Sequence, residues 1–281
     1  TFDLSNVAPL TNAGTETVYI KAENPNFETS YAQTTVTVAK RTLTLTGASA
    51  TQTYTGSAIE LTDIAQSGNG LVTGQTLKGI TYSASGADVG TYQGVFSGAA
   101  AVKSGTDDVT SNYAITTIPG TLTITKAAAE GNKVTATAYN GTYDGAAHGI
   151  TATATQAGST LWYSKVAPAS AAVTDWSTAA PTWTDVTAAQ TVYVKATNPN
   201  YDDATDSATV TITAAPITIT AGSKSFVYDG SAHGDSSWTI TSGKLIGADA
   251  ITVNVSGSIK NVADSPQANT VGTVAFTSGA A

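Results

Sequence analysis

The 281-residue chain has no cysteine and no methionine, and only 11% of its residues are charged. Without cysteine there are no disulfide staples, no thiolate metal sites and no cysteine nucleophile. Without methionine the chain is not expected to begin at a natural start, so a signal peptide or anchor is expected outside it. Basic charge is scarce as well: eleven Lys and one Arg stand against fifteen Asp and five Glu, for a net charge of −8. Tracking a phosphate backbone takes rows of Lys and Arg that release counterions, so nucleic acid is not an expected partner. No window approaches the roughly 18–20 consecutive apolar residues a membrane helix needs, so no span is expected in this segment. Gly-rich loops followed by Lys-Ser/Thr, which would cradle phosphates, are missing too.

What the chain has in quantity is repetition. The words Val18-Tyr-Ile-Lys-Ala-Glu-Asn-Pro-Asn-Phe27 return as Val192-Tyr-Val-Lys-Ala-Thr-Asn-Pro-Asn-Tyr201, an offset of 192 − 18 = 174 residues. Tyr54 returns as Tyr228 at the same offset, 228 − 54 = 174. A fixed period outranks other readings, because a missed repeat mis-calls the fold. Two module types of roughly 85–90 residues, the size of a small β-sandwich, are expected to alternate. The array then reads as the C-terminal half of a type A repeat (1–39), a complete type B repeat (40–127), a complete type A repeat (128–215) and a type B repeat lacking its closing strand (216–281).

Within each copy the signal is period two. Val18, Ile20 and Ala22 alternate with Tyr19 and Lys21, and Arg41-Thr-Leu-Thr-Leu-Thr46 and Thr121-Leu-Thr-Ile-Thr125 alternate in the same way. β-branched Thr and Val fit a pleated sheet and lose χ1 freedom in a helix. Asn24-Pro-Asn26 and Asn198-Pro-Asn200 interrupt the ladder, since Pro cannot donate and Asn tolerates turns, so these Asn are expected at surface turns of a closing hairpin. The fold expected is all-β, a tandem array of Ig-like antiparallel β-sandwich modules, with β-grasp-like modules as the alternative.

Tyr143-Asp-Gly145 and Tyr228-Asp-Gly230 each follow an opening strand, and the Val-Tyr-Val-Lys-Ala-Thr unit and the Gly-Thr-Leu-Thr-Ile strand recur around them. In order and spacing these motifs resemble the MBG-type (Tyr-Gly-X type) repeats of large bacterial surface adhesins, and the resemblance covers essentially the whole chain. Tyr54-Thr-Gly56 departs from the Asp form. The resemblance implies an exported, Ig-like stalk, extracellular on a bacterial cell surface or secreted. It supplies no catalytic residue and no cofactor.

The candidate sites weigh little against this background. Trp162, Tyr163, Trp176 and Trp183 all fall in the complete type A repeat. Coplanar exposed rings there could stack on host or environmental glycans or glycoproteins, although Ig-like modules commonly bury Trp. Trp176 and Trp183, in a Ser/Thr/Ala/Pro-rich loop, are the better candidates for exposure. Asp202, Asp203 and Asp206 offer clustered oxygens of the kind Ca²⁺ takes, but the equivalent copy has only Glu28 and no Gly-bearing ligand loop is present. His148 and His233 follow the Tyr-Asp-Gly turns one per module, too dispersed for a metal site, and are expected to pack on their turns. Lys21 and Lys195 alternate away from the Val face and are expected at the surface rather than in an isopeptide cross-link. No pair of carboxylates has a local setting that would separate two pKa values, so no enzyme is expected. The expected function is a structural stalk or adhesion segment. The alternatives are a glycan-binding module and a subunit of a fibre or surface layer, self-associating by strand addition at open module edges.

Overall fold

The computed structural model describes residues 9–277. The outer ends of the first and last repeats, 1–8 and 278–281, lie outside the described residues. Among those described there are strands, short 3₁₀ turns and no α-helix. The chain is all-β, and over residues 43–124 and 134–212 sheets face sheets across apolar cores. That arrangement is the sandwich expected from the alternating Thr and Leu, not a grasp closed by a helix. The chain divides into two units: residues up to Ala128 joined by Pro199–Asp202, and Ala129–Asn198 joined by residues from Asp203 onward.

The first unit contains β1 (Gly14–Asn24), β2 (Phe27–Val38), β3 (Arg41–Gly47), β4 (Ala50–Thr53), β5 (Ile59–Leu61), β6 (Ile64–Gly68), β7 (Gln75–Gly86), β8 (Gly90–Gln93), β9 (Val95–Ser104), β10 (Asp107–Asp108), β11 (Tyr113–Ile118) and β12 (Thr121–Thr125). β1 and β2 form a hairpin of their own; the rest make sheets β10-β9-β7-β5, β11-β3-β6 and β4-β12-β8. Alternation decides what is buried: Leu43 and Leu45 are fully enclosed while the Thr residues between them are not. They pack with Val102 and Tyr113 in one cluster, and Leu122 and Ile124 pack with Tyr82 and Ala84 in another.

β7 serves both clusters through a bulge. Its register against β9 shifts between Lys78 and Ile80. The shift moves Ile80, Tyr82 and Ala84 onto the same face as Leu77, whereas strict alternation would have put them opposite. Gly79 has φ +76°, and a Cβ there would lie 2.5 Å from the Ala99 carbonyl oxygen, so only glycine fits. Two facing sheets in succession then cover one continuous apolar face.

The second unit contains β13 (Val134–Thr137), β14 (Tyr139–Thr142), β15 (Thr151–Ala154), β16 (Thr160–Ser164), β17 (Thr187–Asn198), β18 (Tyr201–Thr213, its first two residues in the first unit), β19 (Thr218–Ala221), β20 (Trp238–Ser242), β21 (Ala250–Ser256) and β22 (Thr270–Thr277). Sheet β13-β15 faces sheet β14-β18-β17-β16 across a core of Val134, Ile150, Val192, Val194, Ala196, Val210 and Ile212. β19-β20 and β21-β22 are two-stranded sheets, with Val255 the buried hydrophobe among them.

Two details depart from the sequence expectation. Among the described residues three strand pairs are parallel: β11 with β3, β12 with β4 and β14 with β18. Strands distant in sequence meet there, and no local pattern encodes their direction. Asn198, expected at a surface turn, is only 8% exposed. It is the last residue of the core-facing series Val192, Val194, Ala196, and its Nδ2 donates to Ser159 Oγ at 3.1 Å. Ser159 in turn donates to Oδ1 of buried Asn132 at 2.9 Å. The period that buries valine carries this Asn inward too, and the hydrogen bonds offset its desolvation.

Candidate functional site

The most repeated local structure is the Tyr-x-Gly turn. Tyr54 and Tyr143 each follow a short strand laid parallel to a closing strand, and their amides donate to the Thr125 and Thr213 carbonyls at 2.9 and 2.8 Å. In the Asp forms the carboxylate caps its own turn. Asp144 Oδ1 accepts from the Ala146 amide at 2.9 Å, and Asp229 Oδ1 from the Ser231 amide at 2.8 Å. Gly145 and Gly230 follow at φ +79° and +85°. The same carboxylate oxygens lie 2.8 and 2.9 Å from Nε2 of His148 and His233. Each imidazole stacks on a ring upstream: His148 on Tyr139 at 4.1 Å and His233 on Phe226 at 4.7 Å between centroids. Where Thr55 replaces Asp, its Oγ1 accepts from the Ser57 amide at 3.4 Å. These histidines therefore have turn-packing work, and each has one carboxylate neighbour and no nucleophile in register.

The four candidate aromatics occupy separate settings. Trp162, on the outer face of β16, donates from Nε1 to Thr197 Oγ1 at 3.1 Å. Tyr163 points the other way and packs on the core, as does Trp183. Trp183 also exchanges backbone hydrogen bonds with His148 and carries Lys165 Nζ 4.7 Å from its ring centroid. Trp176 lies under Lys195 Nζ at 4.6 Å. All four are half-buried, and among the described residues no ring contact joins any two of them. The lysines lie over the ring faces that a sugar would use.

Asp202, Asp203 and Asp206 are spread along β18. Asp203 falls on the opposite strand face from the other two by alternation. Among the described residues no group of three or more His, Cys, Asp or Glu could hold a metal ion. Asp206 is already engaged, accepting from the Ala136 amide in β13 and the Ser207 amide, each at 2.8 Å. Those two amides, Ala136 first, hold its carboxyl below the usual range. Asp144 is lowered by His148 and then the Ala146 amide, and Asp229 by the Ser231 amide and then His233.

These shifts carry a sign. A carboxyl that titrates lower folded than unfolded contributes stability above its unfolded pKa of about 3.9, and loses it as pH falls through the folded value. Thermal melting stepped down from pH ~6 to pH ~2 is expected to show stability falling below the ordinary carboxylate range. Asp206→Asn, which keeps an acceptor but no titrating charge, flattens that fall. A steeper acid loss in the variant would contradict the assignment.

Sequence reasoning missed two sets of contacts around the Tyr-x-Gly turns. In the first unit, Tyr201 meets the Tyr54 ring edge-on at 5.4 Å between centroids and 77° between planes. Beside it Asn200 Nδ2 donates to Asp88 Oδ1, and its Oδ1 accepts from the Val89 amide, both at 2.9 Å. In the second unit, Tyr143 Oη donates to Asp249 Oδ2 at 3.2 Å at the edge of a cleft of about 430 Å³, which Val186 and Ile246 also line. Burial first, then the Asp249 carboxylate, pushes the Tyr143 phenol up. The one available signal was that Asn200 and Tyr201 recur with Asn26 and Phe27.

No family model matches the chain, and no curated protein matches it. Among solved structures it is similar to fibronectin(III)-like modules of Clostridium thermocellum CbhA, at 14% identity over 61% of this chain and 94% of that one, with a TM-score of 0.22. It is also similar to protocadherin gamma B7 extracellular cadherin domains 1–4, at 8% identity over 95% and 83% with a TM-score of 0.29. A third is mouse clustered PcdhgC3 EC1–3, at 16% identity over 71% and 77% with a TM-score of 0.28. Scores of this size say nothing about a ligand or a partner.

Proposed function

We propose that this chain is a non-enzymatic stalk or adhesion segment of a bacterial cell-surface or secreted protein, built from β-modules in tandem that space a distal region from the cell. The observation that carries the reading is the closing hairpin. The same strand, turn and strand recur 174 residues apart as β1-β2 and β17-β18, and two separate sets of hydrophobic clusters lie on residues 43–124 and 134–212. Two segments of the array that each carry their own core, 43–124 and 134–212, suit a quasi-one-dimensional array. The divisions at 40, 128 and 216 are those this reading assigns.

A surface-display assay tests it. The segment is placed between a cell anchor and a terminal epitope, and binding of a bulky antibody to that epitope is compared with a direct fusion. The expected result is severalfold higher antibody binding with the segment present. Equal binding would sink the spacer role. On a glycan array the same protein is expected to show no specific retention, given lysines over Trp176 and Trp183. Retention abolished by Trp176→Ala or Trp183→Ala would make this a glycan-binding module instead.

A further inference from the structure

An asparagine followed by glycine is open to attack by its own backbone, because the next residue has no Cβ to block the approach. The chain holds two such pairs, Asn69-Gly70 and Asn140-Gly141. Both asparagines are exposed, yet the fold treats the two glycine nitrogens differently.

Gly141 lies inside β14, opposite Ile212 in the parallel ladder with β18. Two residues on, the Tyr143 amide donates to the Thr213 carbonyl, so the period of two turns the Gly141 amide toward β18 as well. A nitrogen committed to a ladder is not free to lose its proton and swing onto a side chain. The site is also crowded, since a Cβ at Gly141 would lie 2.4 Å from the Tyr139 hydroxyl oxygen. Asn69-Gly70 instead sits just past β6, in the turn that leads to β7. Gly70 has φ +67°, and a Cβ there would meet nothing within 4 Å.

Two neighbours on β3 polarise this turn. Thr42 Oγ1 donates to Asn69 Oδ1 at 2.7 Å, which draws electrons from the side-chain carbon. Arg41, the one arginine in the chain, donates from its guanidinium to the Asn69 carbonyl, and from Nε to the Gly70 carbonyl at 2.8 Å. A cation on the Asn69 carbonyl makes the Gly70 nitrogen, part of the same amide, more acidic. We infer that Asn69 is a site of spontaneous deamidation, promoted by Arg41 and Thr42. The Gly70 nitrogen gives its proton to hydroxide and bonds to Asn69 Cγ; the Cγ–Nδ2 bond breaks, and ammonia leaves with a proton from water. Water then opens the cyclic imide at either carbonyl, leaving aspartate or isoaspartate and one added negative charge. Isoaspartate carries the main chain through an extra methylene, so Arg41 no longer spans both carbonyls and the turn into β7 loosens. This chemistry is the same whether or not the segment acts as a spacer.

The intact chain is incubated at mildly alkaline pH and digested with trypsin, which frees residues 42–78 and 134–165, each with a single asparagine. Mass spectrometry then follows the exchange of NH₂ for OH at Asn69 and Asn140. Asn69 is expected to convert severalfold faster than Asn140. In urea, where no ladder holds Gly141, the two are expected to convert at similar rates. Arg41→Gln and Thr42→Val are each expected to slow Asn69 in the folded chain and to leave Asn140 unchanged. Thr42 is exposed and valine suits the strand, so that variant reads the chemistry even where Arg41→Gln loosens the turn. Equal rates in the folded chain, or Asn140 ahead, overturn the proposal. So does a preference for Asn69 that persists in urea, which would assign it to local sequence. Faster conversion in either variant overturns it too, since the two contacts would then be protective.

Discussion

Leu45→Ala is expected to destabilise the first unit by about 3 kcal/mol, within the 2–5 kcal/mol that buried Leu→Ala changes span. Leu45 has no exposed surface, sits in β3 between β6 and β11, and packs with Leu43, Val102 and Tyr113. Leu43 and Val102 belong to strands paired on both sides, so they close poorly around the missing atoms, and the cavity adds to the lost transfer free energy. Urea unfolding followed by circular dichroism should lose midpoint without losing slope. All four tryptophans, at 162, 176, 183 and 238, lie in the second unit, so the transition seen by Trp emission is expected to stay in place. Ile219→Ala, at the position 174 residues on but only partly buried, should cost less. A Leu45→Ala loss below about 1 kcal/mol would mean that the cluster is not the core its burial suggests.

Leu45 was legible in the sequence because its neighbours alternate. The alternation of Arg41-Thr-Leu-Thr-Leu-Thr46 predicts a strand where β3 forms over Arg41–Gly47, and the pattern at 121–125 predicts β12 in the same way. The pattern failed where its period broke. Strict alternation over residues 77–84 would put Leu77 and Ile80 on opposite faces, but the Gly79 bulge slips the phase and keeps Leu77 on the face of Ile80. Residues 91–96 are split at Gly94 into β8 and β9, which belong to different sheets. The parallel pairs were beyond reach for another reason. Alternation says which face of a strand is buried, and nothing about the direction of the strand beside it.

The candidate positions divide along the same line. Asp144 and Asp229 as turn caps follow from residues two apart in sequence, so local chemistry sufficed. The contacts beside Tyr54 did not, because Asp88 and Asn200 are 112 residues apart and only tertiary structure brings their side chains together. The aromatic loop lies between these cases. Composition marked residues 162–183 as unusual, but whether a Trp faces solvent, core or a lysine depends on strands outside the loop. Lys195 covers Trp176 from β17.

The closing hairpin allows one more comparison, because one sequence pattern occurs in two settings. Val194→Thr is expected to cost about 2 kcal/mol, roughly a thirtyfold change in the unfolding equilibrium, since a hydroxyl buried without a partner costs 1–3 kcal/mol. Val194 is fully buried in a cluster whose buried members are Val, Ile and Ala, so the hydroxyl replaces a methyl in an apolar setting. Ile20→Thr, at the corresponding position in β1, is expected to change stability by no more than about 0.5 kcal/mol. Ile20 lies in a hairpin whose residues are exposed or half-exposed along its length, and Thr suits a strand whose hydroxyl reaches water. Both variants are read by chemical unfolding, Val194→Thr through Trp emission and Ile20→Thr through circular dichroism. Equal costs would mean that the Val18, Ile20 and Ala22 face is covered in solution as Val192, Val194 and Ala196 are. The alternating pattern specifies which face of the hairpin can be buried, and the other sheet of the module decides whether that face is buried.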